Sequence, residues 1–199
     1  MKLGIFFLLG LCSMVSWAES HNSVSGRFIP RLGLTLEATS LSLAEQSTTK
    51  GGSYSGTAVN LGVNYPFYQT INRSYFIKSS VPVVAKSGAG LYSATLGMNF
   101  FQDKLSAPYT LEDGPSVLKI RPKLQYFWGP HIGAGALIYT VDSAKKSDFG
   151  FIVGAQGGMM KQLKAPWGLK ADLGLSKGFG MSTGFLTYFV GGGATYDLD

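Results

Sequence analysis

The sequence predicts an all-β fold: a closed antiparallel transmembrane β-barrel, most simply of eight strands, with ten as the alternative. Three observations predict it. Apolar and polar residues alternate with a period of two in segment after segment, which gives an extended strand one oily and one wet face. Charged residues make up 14% of the chain, well below the roughly 25% of soluble domains, while Gly (27 residues) and aromatics (13%) are abundant. The chain opens on an export signal, and no later segment reaches the roughly 20 apolar residues that a spanning helix requires. Oily faces turned outward around a closed sheet meet all three conditions.

The opening segment has a positive start, Met1-Lys2, an apolar stretch over 3–15 and a small-x-small site at Ser16-Trp17-Ala18. Residues 1–18 are therefore expected to be a cleaved signal peptide, and 19–199 a single outer-membrane barrel domain with a short flexible leader and no periplasmic extension. Cys12 is the one cysteine. Leu11 stands where a lipid-attachment site needs a small residue, so Cys12 should leave with the signal, and the mature chain can form no disulfide. The net charge of +6 falls by one with the loss of Lys2. It is spread over strands and loops, which points to lumen and surface charge with affinity for anionic lipid, not to nucleic acid.

The first strand is expected over 28–40, with Leu32, Leu34, Leu36 and Ala38 on one face and Arg31, Gly33, Thr35 and Glu37 on the other. The second, 59–65, sets Val59, Leu61, Val63 and Tyr65 against Asn60, Gly62 and Asn64. The third, 77–83, alternates less cleanly around Lys78 and is interrupted by Pro82, which removes a ladder donor. The fourth covers 92–100. A fifth, 118–126, carries Lys119, Arg121 and Lys123 on its polar face, and a sixth covers 132–138. The last three are 149–156, 169–176 (with Lys170 and Asp172 on the polar face) and 186–198 (with Asp197). That makes nine candidates, whereas bacterial single-chain barrels have even strand numbers. The weak point is placed between Tyr75 and Glu112, where 101–115 reads as a long loop or a hidden strand. Short turns are expected at Trp128-Gly129-Pro130 and around 164–166, and polar loops at 45–53, 103–114 and 142–148.

Aromatic residues cluster near the expected turns: Tyr65, Phe67 and Tyr68; Tyr126, Phe127 and Trp128; and Trp167. Amphipathic rings suit the head-group level of a bilayer, so these residues are expected to form an interfacial girdle. The inward positions Arg31, Glu37, Lys78, Lys119, Arg121, Lys123, Lys170, Asp172 and Asp197 are expected to form a lumen polar network. Charges in contact with lipid are costly, and an eight-stranded barrel is just wide enough for side chains to fill. Glu37, Asp172 and Asp197 would pair with the cations across the lumen and close it. A wider lumen would instead favour anions near Lys119, Arg121 and Lys123.

The run from Tyr126 through Trp128-Gly129-Pro130 into Gly133-Ala134-Gly135, the segment Trp167-Gly168-Leu169-Lys170-Ala171-Asp172, and the C-terminal Gly193-Ala194-Thr195-Tyr196-Asp197-Leu198 carry a resemblance. Together the chain resembles the small Gram-negative outer-membrane barrels of the OmpA/OmpX/OmpW-like group. Asp199 departs from the aromatic residue with which that group usually ends. The resemblance implies insertion by the barrel-assembly machinery, a place among outer-membrane lipid and lipopolysaccharide, and a monomer. Its implied role is structural, or adhesion and ligand contact through surface loops. A narrow solute channel is the alternative, and a lipid A-modifying enzyme is a more remote one.

Little in the sequence points to catalysis. Of two histidines, His21 lies in the leader, and His131 begins a strand beside an expected turn with no serine two residues away; a rim or lumen position explains it. No cofactor or metal is expected, since the mature chain lacks cysteine and paired histidines. The glycines of 133–135 and 191–193 lack the strand-turn-helix setting of phosphate loops and fit backbone crowding in a narrow barrel instead.

Overall fold

The computed structural model describes residues 26–45, 53–86, 89–102, 105–113, 116–141 and 144–198; the expected signal peptide lies outside them. The described residues form eleven strands: β1 (Gly26–Phe28), β2 (Arg31–Glu45), β3 (Ser53–Gln69), β4 (Arg73–Lys86), β5 (Gly90–Phe101), β6 (Tyr109–Asp113), β7 (Ser116–Ile120), β8 (Leu124–Val141), β9 (Ala144–Gln162), β10 (Trp167–Gly180) and β11 (Thr183–Asp197). Eight of them close into an antiparallel barrel in the order β10-β11-β2-β3-β4-β5-β8-β9, and β1-β6-β7 form a separate three-stranded sheet.

The outward side of the barrel is apolar. Leu34, Leu36, Leu96, Ile132, Phe151, Leu173 and Val190 are all exposed, Leu36 by 57% and Phe151 by 69%. Their strand neighbours Thr35, Glu37, Thr95, His131, Ile152, Asp172 and Gly191 face the lumen. Over that part of its height the closed sheet is therefore inside-out relative to a soluble barrel.

The structure resolves the odd strand count. Trp128-Gly129-Pro130 is not a turn but part of β8, so the candidates at 118–126 and 132–138 merge from Leu124 onward. The chain passes straight through because Gly129 lies against β5: a Cβ there would sit 1.7 Å from the Met98 carbonyl oxygen. Pro130 faces outward, and its missing donor leaves only a local gap in the β5–β8 ladder, whose partners resume at Gly97↔His131 and Phe100↔Trp128. Pro82 is likewise carried inside β4 at an irregularity, where the β3 partner shifts between Val59 and Asn60. Beyond Ser80 the β4–β5 ladder has no further partners, so the missing donor of Pro82 is harmless there. The expected loop at 142–148 is mostly the start of β9. There the Asp148 carboxylate accepts hydrogen bonds from the backbone N–H of Phe149, Met181, Ser182 and Thr183, which holds the β10–β11 turn.

The region 101–115 is neither a plain loop nor a barrel strand. The connection from β5 to β8 carries the β6–β7 hairpin, which pairs with β1. It runs beneath the mouth at which both described chain ends lie. Ser106 N–H donates to the Ile71 carbonyl in the β3–β4 turn, Ile29 N–H donates to the Pro108 carbonyl, and the inward-facing Gln125 donates to the Leu105 carbonyl. Ser106, Ala107 and Pro108 are buried by this packing. The longest described connection is thus at the rim of the chain ends, the reverse of the pattern of short turns there and long loops opposite.

Candidate functional site

The lumen is filled in three layers. The layer nearest the chain ends centres on Asp197. Arg31 Nε donates to Asp197 Oδ1 at 2.8 Å, Arg121 Nε to Oδ2 at 3.3 Å and Gln162 Nε2 to Oδ2 at 3.2 Å. The same Arg31 guanidinium donates to Gln125 Oε1 at 3.0 Å and to Gln162 Oε1 at 2.5 Å. A planar fork with five donors can hold several strands at once, which a lysine could not do with the same geometry. Here it ties β2 to β8, β9 and β11.

The middle layer is a set of ion pairs. Lys78 Nζ stands 2.5 Å from Glu37 Oε1 and 3.8 Å from Asp172 Oδ2, and Lys170 Nζ stands 2.8 Å from Asp172 Oδ2. Thr35 Oγ1 donates to Glu37 Oε1 at 3.1 Å. Each ammonium also lies over a ring, Lys78 over Phe189 at 4.0 Å and Lys170 over Phe127 at 5.3 Å. With Glu37 and Asp172 against Lys78 and Lys170 the layer is formally neutral, so burial leaves no uncompensated charge. Above it, His131 Nε2 meets Ser176 Oγ at 2.8 Å and Gln156 donates to Asn99 at 3.0 Å. Only a cavity of about 40 Å³ remains between these groups. That is room for a few waters, since each needs about 10–15 Å³.

The third layer, toward the opposite rim, is apolar. Leu41, Leu43, Ala89, Leu91, Leu137, Tyr139, Ile152 and Phe185 pack together in the lumen, with Leu137 wholly buried. Tyr139 Oη and Thr183 Oγ1 lie 3.2 Å apart at its edge. This corrects the expectation of a lumen filled by polar and charged side chains alone: one end is an oily plug. The alternation continues along β2, but its sense reverses. Past Thr39, Ser40 and Ser42 face outward while Leu41 and Leu43 face in.

Arg31, Glu37, Lys78, Lys170, Asp172 and Asp197 are buried inside the barrel. Lys119, Arg121 and Lys123 are not on a barrel strand. Lys119 lies on β7, and Arg121 and Lys123 lie in the link from β7 to β8, where Arg121 reaches the network described above through Asp197. The strand expected over 118–126 is broken at 121–123 because β7 belongs to the small sheet. Among the aromatic residues, Tyr65, Phe67, Tyr68, Tyr126, Trp128 and Trp167 lie on the outward side near the chain-end rim. There Phe100 stacks on Trp128 at 4.8 Å, and Trp167 meets Tyr196 edge-on at 4.9 Å. Phe127 is the correction. Between two outward neighbours it must face inward, and it is buried against Phe101 at 6.1 Å. Gln125 and Ser176 fall on the polar faces of the strands expected over 118–126 and 169–176, but they, Gln162 and Phe189 are not among the expected network residues although all four share the inward register; neutral side chains give no charge signal.

The fold has known counterparts. The crystal structure of Neisserial surface protein A superposes with a TM-score of 0.54 at 9% identity, covering 83% of this chain and 96% of that one. At that identity the likeness establishes a shared small-barrel fold and nothing finer. Two further similar structures are Ail, the attachment invasion locus protein of Yersinia pestis, in complex with a heparin analogue (TM-score 0.46, 12% identity, covering 84% of this chain and 99% of that one), and the N-terminal β-barrel domain of Pseudomonas aeruginosa OprF (0.43, 12%, 82% and 99%). No protein-family profile and no curated protein sequence matches the chain.

His131 lies in mid-strand within the lumen, not at a rim, and Ser176 comes to it from β10. Its Nδ1 has no hydrogen-bond partner among the described residues, so no acid orients the ring as a hydrolytic triad requires. Among the described residues no group of His, Cys, Asp and Glu could hold a metal ion.

Proposed function

We propose that this chain is an integral outer-membrane barrel, non-enzymatic and closed to solutes, whose work is structural or is carried by the surface loops of the rim opposite the chain ends, through adhesion or ligand contact. The observation that carries this reading is the inverted polarity of the closed sheet, with leucine, valine, isoleucine and phenylalanine exposed all round and ion pairs sealed within. In water such a surface would aggregate; in hydrocarbon it is the stable arrangement, because every barrel strand is paired on both sides. The resemblance to small Gram-negative barrels and the fold shared with Neisserial surface protein A support the same placement. Insertion as a monomer by the barrel-assembly machinery, among outer-membrane lipid and lipopolysaccharide, belongs to this reading.

Closure is supported by the three lumen layers and by the connection crossing one mouth. A narrow channel would need a continuous wet path, and the Leu137 layer interrupts it. A lipid-modifying enzyme would need to bring an acyl ester to His131 and Ser176, which face a space of about 40 Å³. Membrane fractions washed at alkaline pH should retain the protein, which should shift on gels after boiling. Planar bilayers containing it should show no steady current. Release by the wash would overturn the membrane placement, and a steady ion-selective current would overturn the closed lumen. Lipid A mass spectra that change with expression would overturn the non-enzymatic assignment.

A further inference from the structure

The ladder pairs put the outward residues on a common scale of height. Followed from Gly33 on β2 through β3, β4, β5, β8, β9, β10 and β11, they return to β2 at Leu43, ten residues further on. A row of pairs thus climbs toward the far rim by about one and a quarter residues per strand. Phe151 shares a row with Phe179, Gly184 and Ala44. Three strands back from β2, it stands about four residues below Ala44, level with Ser40. Phe149 lies two residues nearer the far rim, at about the height of Ser42, and Phe179 is close to the same level. At this height β2 and β3 turn Ser40, Ser42 and Thr57 outward. On β9 and β10 the outward residues are Phe149, Phe151 and Phe179, all exposed, and the turn after β10 holds out Met181, 87% exposed. Polar outward residues begin on β9 only at Ser147 and Lys145. The apolar wall therefore reaches about 10 Å higher on this side than on β2.

We propose that the lipid leaflet at this rim climbs the β9–β10 side of the barrel, its acyl chains covering Phe149, Phe151, Phe179 and Met181 at a height where the β2–β3 side meets water. The inference rests on the reading of the barrel as membrane-inserted. Three observations favour lipid as the cover. On β9 the aromatic surface runs without a polar break into the membrane band below, through the exposed Val153 and Ala155. On β10 Lys177 lies below Phe179, and its ammonium reaches toward the far rim, 5.2 Å from the centroid of the Phe179 ring. That is the posture of a stem in hydrocarbon with its charge drawn to the head groups. The N–H groups of the β10–β11 turn, on Met181, Ser182 and Thr183, are all taken by the Asp148 carboxylate. Water would satisfy such donors unaided, whereas acyl chains cannot. A bilayer meets a taller apolar wall by thickening locally.

A membrane-impermeant maleimide on single cysteines, in a Cys12→Ser background, tests this. With the full barrel in phosphatidylcholine vesicles at high dilution in lipid, Phe149→Cys and Phe179→Cys should label more slowly than Ser42→Cys by about tenfold or more, because hydrocarbon disfavours the reacting thiolate. All three should label alike once the protein is unfolded in urea. Two variants on the taller side keep the result from resting on one substitution. Equal rates on the two sides, whether fast or slow, would overturn the proposal. So would protection of Phe149→Cys that appears only at high protein density, which would assign the patch to a second copy of the chain. Leu36→Cys separates the two readings. If it stays protected while Phe149→Cys labels freely, the barrel is inserted and only the taller wall is lost; if it labels, insertion itself is lost.

Discussion

Residues 191–193 are three consecutive glycines with three different surroundings. A Cβ on Gly193 would meet the Leu34 carbonyl oxygen at 1.8 Å, and one on Gly191 would meet Asp172 Oδ1 at 2.8 Å, while on Gly192 the nearest atom is 3.8 Å away. Gly193→Ala should therefore lower the stability of the refolded barrel by about 1–3 kcal/mol in urea titrations read by the gel shift. Gly192→Ala should leave it unchanged or slightly raised; equal effects at the two positions would contradict the register of β11 on β2. Asp172 makes a second test. Asp172→Asn leaves Lys170 facing no anion at close range and removes one of the two acids near Lys78, so a loss of about 3–5 kcal/mol is expected in the same titration, and replacing Lys170 by Met in that background should recover part of it. The inward placement of Glu37, Lys78 and Asp172 could be read from alternation alone, because a charge on the oily face would break the period. Which acid meets which base could not, since it depends on strand order and shear, which bring β2, β4 and β10 together across the lumen.

At the scale of elements, the alternating segments located every barrel strand, and the errors fell where local chemistry and tertiary pairing disagree. Trp128-Gly129-Pro130 has the composition of a turn, yet the closeness of β5 and β9 on both sides keeps β8 extended through it. Conversely, 118–126 reads as one alternating segment but divides between two sheets, because the break at 121–123 lets Arg121 reach Asp197. The β6–β7 hairpin pairs only with β1 and with itself, while all eight barrel strands keep two barrel neighbours without it. Replacing residues 109–120 with a short Gly-Ser linker should therefore leave a heat-modifiable barrel. It should also remain non-conducting in planar bilayers, because the ion-pair layer and the Leu137 layer stay in place. Current through the shortened protein would show that the hairpin, not the lumen, makes the seal.

For the whole molecule, the strands are longer than a membrane requires. About 9–11 tilted residues cross the hydrocarbon, while β3, β8 and β9 have 17, 18 and 19. The surplus is at the end away from the chain termini. There the outward residues Ser40, Ser42, Ser55, Thr57, Lys145 and Ser147 are polar and exposed, while Leu41, Leu43, Leu137 and Phe185 turn inward. One continuous barrel is thus built as a membrane protein over one part of its length and as a soluble barrel beyond it, with the changeover on β2 between Ala38 and Ser40. Alternation alone could not reveal this, because the period of two is preserved and only its sense reverses. The changeover can be mapped with single cysteines, since Cys12, the one native cysteine, lies in the expected signal peptide. In intact cells a membrane-impermeant maleimide should label Ser42→Cys. It should fail on Leu36→Cys, although Leu36 is 57% exposed, because its surroundings are acyl chains. Lys164→Cys, at the chain-end rim, should label only after the outer membrane is permeabilised. Labelling of Leu36→Cys in intact cells would place the water boundary below the changeover, and labelling of Lys164→Cys without permeabilisation would reverse the orientation of the barrel.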